Sequence, residues 1–186
     1  DMMSLRKIGS PFQGHPNMHK VPGIEMSTGS LGQGFAVCVG MAMANKLDKD
    51  PGRIYTLLGD GELQEGLIWE AAMASAHYKL DNLCAIVDWN GLQIDGSNDD
   101  VMTVSPIDEK FKSFGFNVIV IDGHDFGQIF DAFDKARECK GKPTVIIAKT
   151  HKGRGVSFME DQAGWHGKAP DDAQAKQAVE ELGGEV

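Results

Sequence analysis

Apolar residues along this chain fall into short β-leaning runs separated by stretches of helical spacing. The runs are 53–58 (RIYTLL), 83–87 (LCAIV), 117–121 (NVIVI) and 144–148 (TVIIA). The second is continuous enough for a strand buried on both faces of a parallel sheet. Leu63, Leu67, Ile68, Ala71 and Ala72 recur at helical spacing, and with Ala74, Ser75 and Ala76 they predict a helix over 62–79. Residues 31–47 carry small side chains at Gly34, Ala36, Gly40, Ala42 and Ala44, with no charge before Lys46. That pattern predicts a helix allowing close backbone approach and buried on more than one side. Further helices are expected over 107–114 and 127–139, and Asp171 is placed to cap a last amphipathic one. Residues 1–30, 90–106 and the Gly- and His-rich stretch up to Pro170 read as irregular. Strands alternating with helices predict an α/β fold: a doubly wound, mainly parallel sheet with helices on both faces. No repeat, low-complexity tract or interior linker divides residues 1–186, so one domain is expected.

Composition narrows the function. A chain of 186 residues suits one domain with a sizeable core. Its net charge of −9 excludes bulk nucleic-acid binding, which needs a basic face. A bound anion must therefore be neutralised locally, by a metal or a helix end. No run approaches the apolar length of a membrane span. Cys38, Cys84 and Cys139 sit far apart without a CxxC pair, and the first two lie in apolar runs as small core residues. Nothing resembles a signal or transit peptide, which makes the cytoplasm the expected compartment. The first residue is Asp1, which leaves open processing, editing or a fragment.

Ligands of such sheets bind beyond the carboxyl ends of the strands. Three groups fall there: Asp60 after RIYTLL, Asn90 after LCAIV, and His151-Lys152-Gly153-Arg154-Gly155 after TVIIA. Magnesium takes six hard oxygen ligands and often keeps phosphate oxygens among them. One carboxylate, one amide oxygen and one backbone carbonyl leave room for a diphosphate and a water. Gly59 and Gly61 let the backbone turn and approach that diphosphate without a Cβ. Gly-Asp-Gly alone is usually a tight turn, and Asn after a strand is usually a turn residue. Joined across one strand–helix–strand unit, the pair reads as a metal–diphosphate clamp.

Four ordered blocks extend the pattern over nearly the whole chain: GHPNMHKVPGIEMSTGSLGQG, GDGELQEGLIWEAAMASAHYKLDNL, DWNGLQIDG and KTHKGRGVSFMEDQAGWHGKAP. In these blocks the chain resembles the N-terminal, diphosphate-binding domain of transketolases, above all the split form in which the two halves are separate subunits. The resemblance implies that Asp60 and Asn90 bind Mg²⁺ by side chain, or Ca²⁺ or Mn²⁺ in its place, and Leu92 by its carbonyl. It implies contact of Gly59, Gly61 and Asn90 with the diphosphate of thiamine diphosphate. His166, in Trp165-His166-Gly167, is implied at the phosphate and the reaction centre, Lys152 near the diphosphate, and His15 over the thiazolium. Gly29 and Leu31 match the loop beside the aminopyrimidine, and Ile94 would pack on the cofactor rings. Glu65 and Glu70 match glutamates that couple two sites at a dimer interface, although surface acids at that spacing usually face water. Ser30 replaces a proline common in full-length members, as in the split form.

Read without the family, His15 before proline is a loop residue, while Lys152 and Arg154 are solvated cations. His19 and His77 read as structural or exposed. His124 is open to a functional role, whereas Asp125 reads as a helix cap.

The implied reaction is transfer of a two-carbon ketol unit from a ketose phosphate to an aldose phosphate, with the cofactor acting as an ylid. The family glutamate that activates the aminopyrimidine comes from a pyrimidine-binding domain on the partner chain, and no acid here is a candidate for it. The expected partner is therefore a C-terminal subunit carrying that domain, in a dimer or heterotetramer, and an N-terminal segment of the family is expected to be missing. The 186 residues alone are expected to be inactive. Alternatives are 1-deoxyxylulose-5-phosphate synthase, the α subunit of a 2-oxo acid dehydrogenase, and a non-catalytic interaction module. A nucleotide-binding protein is disfavoured, because no P-loop or GxGxxG follows a strand.

Overall fold

The computed structural model describes residues 2–185. Among them, six strands and six α-helices follow one another as α1 (Gln33–Asp48), β1 (Ile54–Gly59), α2 (Gly66–His77), β2 (Leu83–Trp89), β3 (Leu92–Gln93), β4 (Gly96–Ser97), α3 (Asn98–Val101), α4 (Ile107–Ser113), β5 (Asn117–Asp122), α5 (Phe126–Glu138), β6 (Thr144–Lys149) and α6 (Asp172–Glu181). Four strands form one wholly parallel sheet in the order β1-β2-β6-β5. The expected α/β architecture is the one observed, and each predicted strand is present within two residues of its expected ends.

Alternation along the strands divides the core into two layers. Val145 and Ile147 of β6 face a large cluster with Phe35, Leu58, Ile68, Val87 and Phe111. Ile146 and Ala148 face the opposite side, against Ala132 and Ala136 of α5. Helices α1, α2 and α4 therefore cover one face of the sheet and α5 the other. On the first face Phe111 packs against Trp69 and Phe116, at ring separations of 5.2 and 5.3 Å.

Three local expectations change. In α1 burial follows the single stripe Phe35, Val39 and Ala42, while Gly40 stands open, so the helix is not buried on more than one side in this chain. The helix expected over 62–79 is two pieces: a 3₁₀ turn at Gly61–Gln64, then α2, with Glu65 extended between them. Residues 90–106 are not one irregular loop, because they fold into the β3–β4 hairpin and α3. The caps hold as read. Asp125 accepts from the Gln128 N–H, and Asp171 forms a reciprocal capping box with Gln174.

Candidate functional site

Asp60 leaves the end of β1 and turns inward, where it is only 1% exposed. Its two carboxylate oxygens accept from different segments: Oδ1 from the Gly61 N–H at 2.8 Å, and Oδ2 from the Gly91 N–H at 2.5 Å. The Asp60 N–H donates to the Asp88 carbonyl of the neighbouring strand at 3.1 Å. Parallel pairing of β1 with β2 thus brings Gly59-Asp60-Gly61 against the residues after Trp89. No cation pairs with Asp60 among the described residues. Burial is the largest influence on its carboxyl and pushes the pKa up. The backbone N–H groups of Gly91 and Gly61 and the nearby Asn98 amide oppose that shift, and the nearby Asp88 charge adds to it.

Asn90 is half-buried, and its Oδ1 accepts from the Leu92 N–H at 3.0 Å, which closes a turn into β3. Each amide oxygen carries two lone pairs, so this bond leaves one free for a cation. A Cβ on Gly59 would meet nothing within 4 Å, and the same holds at Gly91. A buried acid without a cation, an amide oxygen on the segment that donates to it and open backbone at Gly59 and Gly91 suit a small hard cation carrying phosphate oxygens. This donor set fits Mg²⁺ with a diphosphate; no group of three or more His, Cys, Asp or Glu offers another metal site among the described residues.

Glu62, which sequence reading missed, joins this turn to a second loop. Its Oε1 accepts from the Gly32 N–H at 2.8 Å and its Oε2 from the Gly59 N–H at 3.1 Å. The Thr28–Leu31 loop is thereby held close to the Asp60 turn. Because Gly32 is buried, Glu62→Ala leaves its N–H without an acceptor. The expected loss is about 1–3 kcal/mol of folding stability in urea unfolding, with a smaller loss for Glu62→Gln.

Gly29 and His15 meet directly, since a Cβ on Gly29 would lie 2.7 Å from His15 Cγ. Leu31 and Ile94 are exposed apolar residues, at 52% and 70%. Lys152 is half-buried and His166 exposed. The 3₁₀ turn Ala163–Trp165 that precedes His166 packs beside β4, which brings this loop to the hairpin after Asn90. Trp165 orders the loop by donating from Nε1 to the Phe158 carbonyl at 2.7 Å. Neither His166 nor Lys152 donates a side-chain hydrogen bond to Asp60 or Asn90. Glu65 and Glu70 are exposed, as are His19 and Arg154. His124 accepts the His151 N–H at its Nε2, at 2.8 Å, a structural use of that ring.

Three of the predicted site residues border clefts: Gly29 and Leu31, with Glu62, one of about 680 Å³ beside β1, and Asn90, with Gly91, one of about 850 Å³ beside β6. Asp60 is buried at the junction of their loops and lines neither cleft.

The family model described as "Transketolase, thiamine diphosphate binding domain" matches residues 1–186. A 6-deoxy-6-sulfo-D-fructose transketolase subunit, SqwG, of Clostridium sp. (strain MSTE9) is 42% identical over 179 residues, which is 96% of this chain and 65% of that protein. An apulose-4-phosphate transketolase subunit from Actinobacillus succinogenes is 45% identical, over 93% of this chain and 62% of that protein. The chain thus spans less than two thirds of either relative. The crystal structure of transketolase from Campylobacter jejuni superposes with a TM-score of 0.92 at 35% identity, covering 98% of this chain and 29% of that one. With the buried Asp60 turn and its glycine cradle in place, the chain belongs to the transketolase family, matching its thiamine-diphosphate-binding domain.

Proposed function

We propose that this chain holds the Mg²⁺–diphosphate end of thiamine diphosphate in a transketolase that moves a two-carbon ketol unit between sugar phosphates. The observation that carries this reading is Asp60, a buried carboxylate with no cation beside it, fixed by two backbone N–H groups at the carboxyl end of the sheet. Asp60 and Asn90 would hold the metal by side chain and Leu92 by its carbonyl, and Ca²⁺ or Mn²⁺ would substitute. Gly59 and Gly61 would admit the diphosphate, and Lys152 and His166 would approach it from the loop after β6. The exposed faces of Leu31 and Ile94 would pack on the cofactor rings, with Gly29 beside the aminopyrimidine and His15 on the substrate side. When bound, the cofactor supplies the carbanion chemistry of ketol transfer, and the protein supplies orientation and proton handling.

Two relatives bear the name of transketolase subunits, which supports a partner chain carrying the pyrimidine-binding domain, in a dimer or heterotetramer. Glu65 and Glu70, exposed here, would be covered at that interface. The free thiols Cys38, Cys84 and Cys139 fit a reducing cytoplasm. No helix is long and apolar enough to cross a membrane among the described residues.

Calorimetric titration of thiamine diphosphate with Mg²⁺, with and without a pyrimidine-domain partner, tests the reading. Binding that chelation of the metal abolishes is expected. Turnover is expected only with the partner. Robust turnover by these 186 residues alone would sink the partner requirement. No binding even with a partner would favour a non-catalytic module. A pyruvate donor in place of a ketose would favour the synthase or dehydrogenase alternative.

A further inference from the structure

Beneath the proposed metal ligand lies a second buried polar side chain. Asn98, the first residue of α3, is 3% exposed. Its backbone N–H donates to the Gly91 carbonyl at 2.8 Å, and the Gly91 N–H in turn donates to Asp60. Its Oδ1 accepts from Gln93 Nε2 at 2.9 Å. The same Oδ1 would lie 3.7 Å from a Cβ on Gly61, the other residue whose N–H holds Asp60. With the oxygen taken by Gln93, the Nδ2 end remains. The Asn98 amide lies close enough to favour the charged form of the Asp60 carboxylate, yet its Nδ2 has no hydrogen-bond partner among the described residues. A buried amide donor without a partner is rare and calls for an explanation. Here it faces a carboxylate that has lone pairs to spare.

We infer that Asn98 is a positioning residue for Asp60. Its Nδ2–H donates a third hydrogen bond to that carboxylate when a cation draws on it, which aims the remaining lone pairs at the metal. Gln93 sets the amide's orientation, so that the nitrogen end and not the oxygen end meets the acid. Asn98 itself touches neither metal nor diphosphate. The inference rests on the function proposed above. Groups that orient a metal ligand from behind are commonly worth about 10–100-fold in metal affinity.

The two cations separate this role from a merely structural one. Mg²⁺ demands near-ideal octahedral geometry, whereas Ca²⁺ accepts irregular coordination. A carboxylate that has lost its aim should therefore penalise Mg²⁺ far more than Ca²⁺.

The experiment is calorimetric titration of thiamine diphosphate into the full chain with its partner, with Mg²⁺ or Ca²⁺, for wild type, Asn98→Leu and Asn98→Thr. Asn98→Leu keeps the shape and removes the donor, and it is expected to weaken Mg²⁺-dependent binding about 10-fold or more. Under Ca²⁺ the loss should stay below about 3-fold. Asn98→Thr keeps an O–H donor at shorter reach and should fall between wild type and Asn98→Leu under Mg²⁺. Equal losses with both cations would mark Asn98 as structural and overturn the inference, as would unchanged binding with both. Wild type that takes up no thiamine diphosphate with either cation would overturn the functional reading itself, and this role with it.

Discussion

Asp60→Asn is expected to weaken Mg²⁺-dependent uptake of thiamine diphosphate by about 100-fold or more. Asp60 would be the one charged group among the proposed protein ligands, since Asn90 and the Leu92 carbonyl are neutral. Removing one partner of a buried charge pair costs about 3–5 kcal/mol, and every 1.4 kcal/mol is tenfold in affinity. The folded chain should lose stability as well. Gly61 and Gly91 donate to different oxygens of Asp60, so the asparagine sets its own N–H₂ against one of them. Such an unmet buried donor costs about 1–3 kcal/mol. Titration of the cofactor, with urea unfolding of the metal-free chain beside it, separates the two effects. Wild-type cofactor affinity in a folded Asp60→Asn chain would rule this acid out as a metal ligand.

The pH dependence follows from the same burial. Burial raises the Asp60 carboxyl above the ordinary aspartate value, and a metal ligand must be deprotonated. Cofactor uptake is therefore expected to fall, on acidification, at a higher pH than a surface aspartate would set. In the metal-free chain the linkage has the opposite sense. The folded state holds this proton more tightly than the unfolded state, so its contribution to stability is present below the unfolded value. That contribution is lost as pH rises through the raised folded value.

Gly29→Ala is the second large effect. Gly29 has φ +141°, a region that side-chain-bearing residues rarely adopt, and the new methyl would sit 2.7 Å from His15 Cγ. Either the ring moves or the loop does. Overpacking of this kind costs about 1–3 kcal/mol of folding stability. Displacing a positioned group by about 1 Å can cost on the order of 100-fold in rate, so kcat/KM for the proposed ketol transfer, measured with the partner, should drop by that order. A double-mutant cycle identifies the cause. In a His15→Ala background the ring is gone, and Gly29→Ala should lose much less stability than in wild type. Equal losses in both backgrounds would assign the effect to backbone conformation alone.

Much of this architecture was legible in the sequence. The four parallel strands announced themselves as β-leaning runs, and TVIIA became the fully buried interior of β6. Asp125 and Asp171 were readable as caps because capping is a contact within a few residues. That Asp60 would meet the segment after β2 was legible too, because the ends of neighbouring strands in one parallel sheet lie side by side, and the Gly91 N–H donates to it. Other features escaped for a common reason. The break at Glu65 reflects Glu62 turning to Gly32 and Gly59, while Trp69 Nε1 donates to the Leu63 carbonyl at 2.9 Å. Helical periodicity carries no trace of those bonds. The β3–β4 hairpin has only two residue pairs, too few for an alternating pattern to stand out. Asn98 lies in the polar run Ser97-Asn98-Asp99-Asp100, which reads as a turn, and nothing in that run marks one member as buried.

By itself the sequence determined the class of fold, the positions of the four sheet strands and of the helices other than α3, and the acid, amide and glycines available at the sheet's edge. These depend on periodicity, local propensity and the bare backbone of glycine, all properties of neighbours in the chain. Only the tertiary structure decided that Asp60 is buried and held by two segments, that Glu62 bridges Gly32 and Gly59, that Gly29 rests on His15, and that Asn98 backs the acid. Most of these contacts join segments far apart in sequence, and their approach is set by how the helices pack on the sheet.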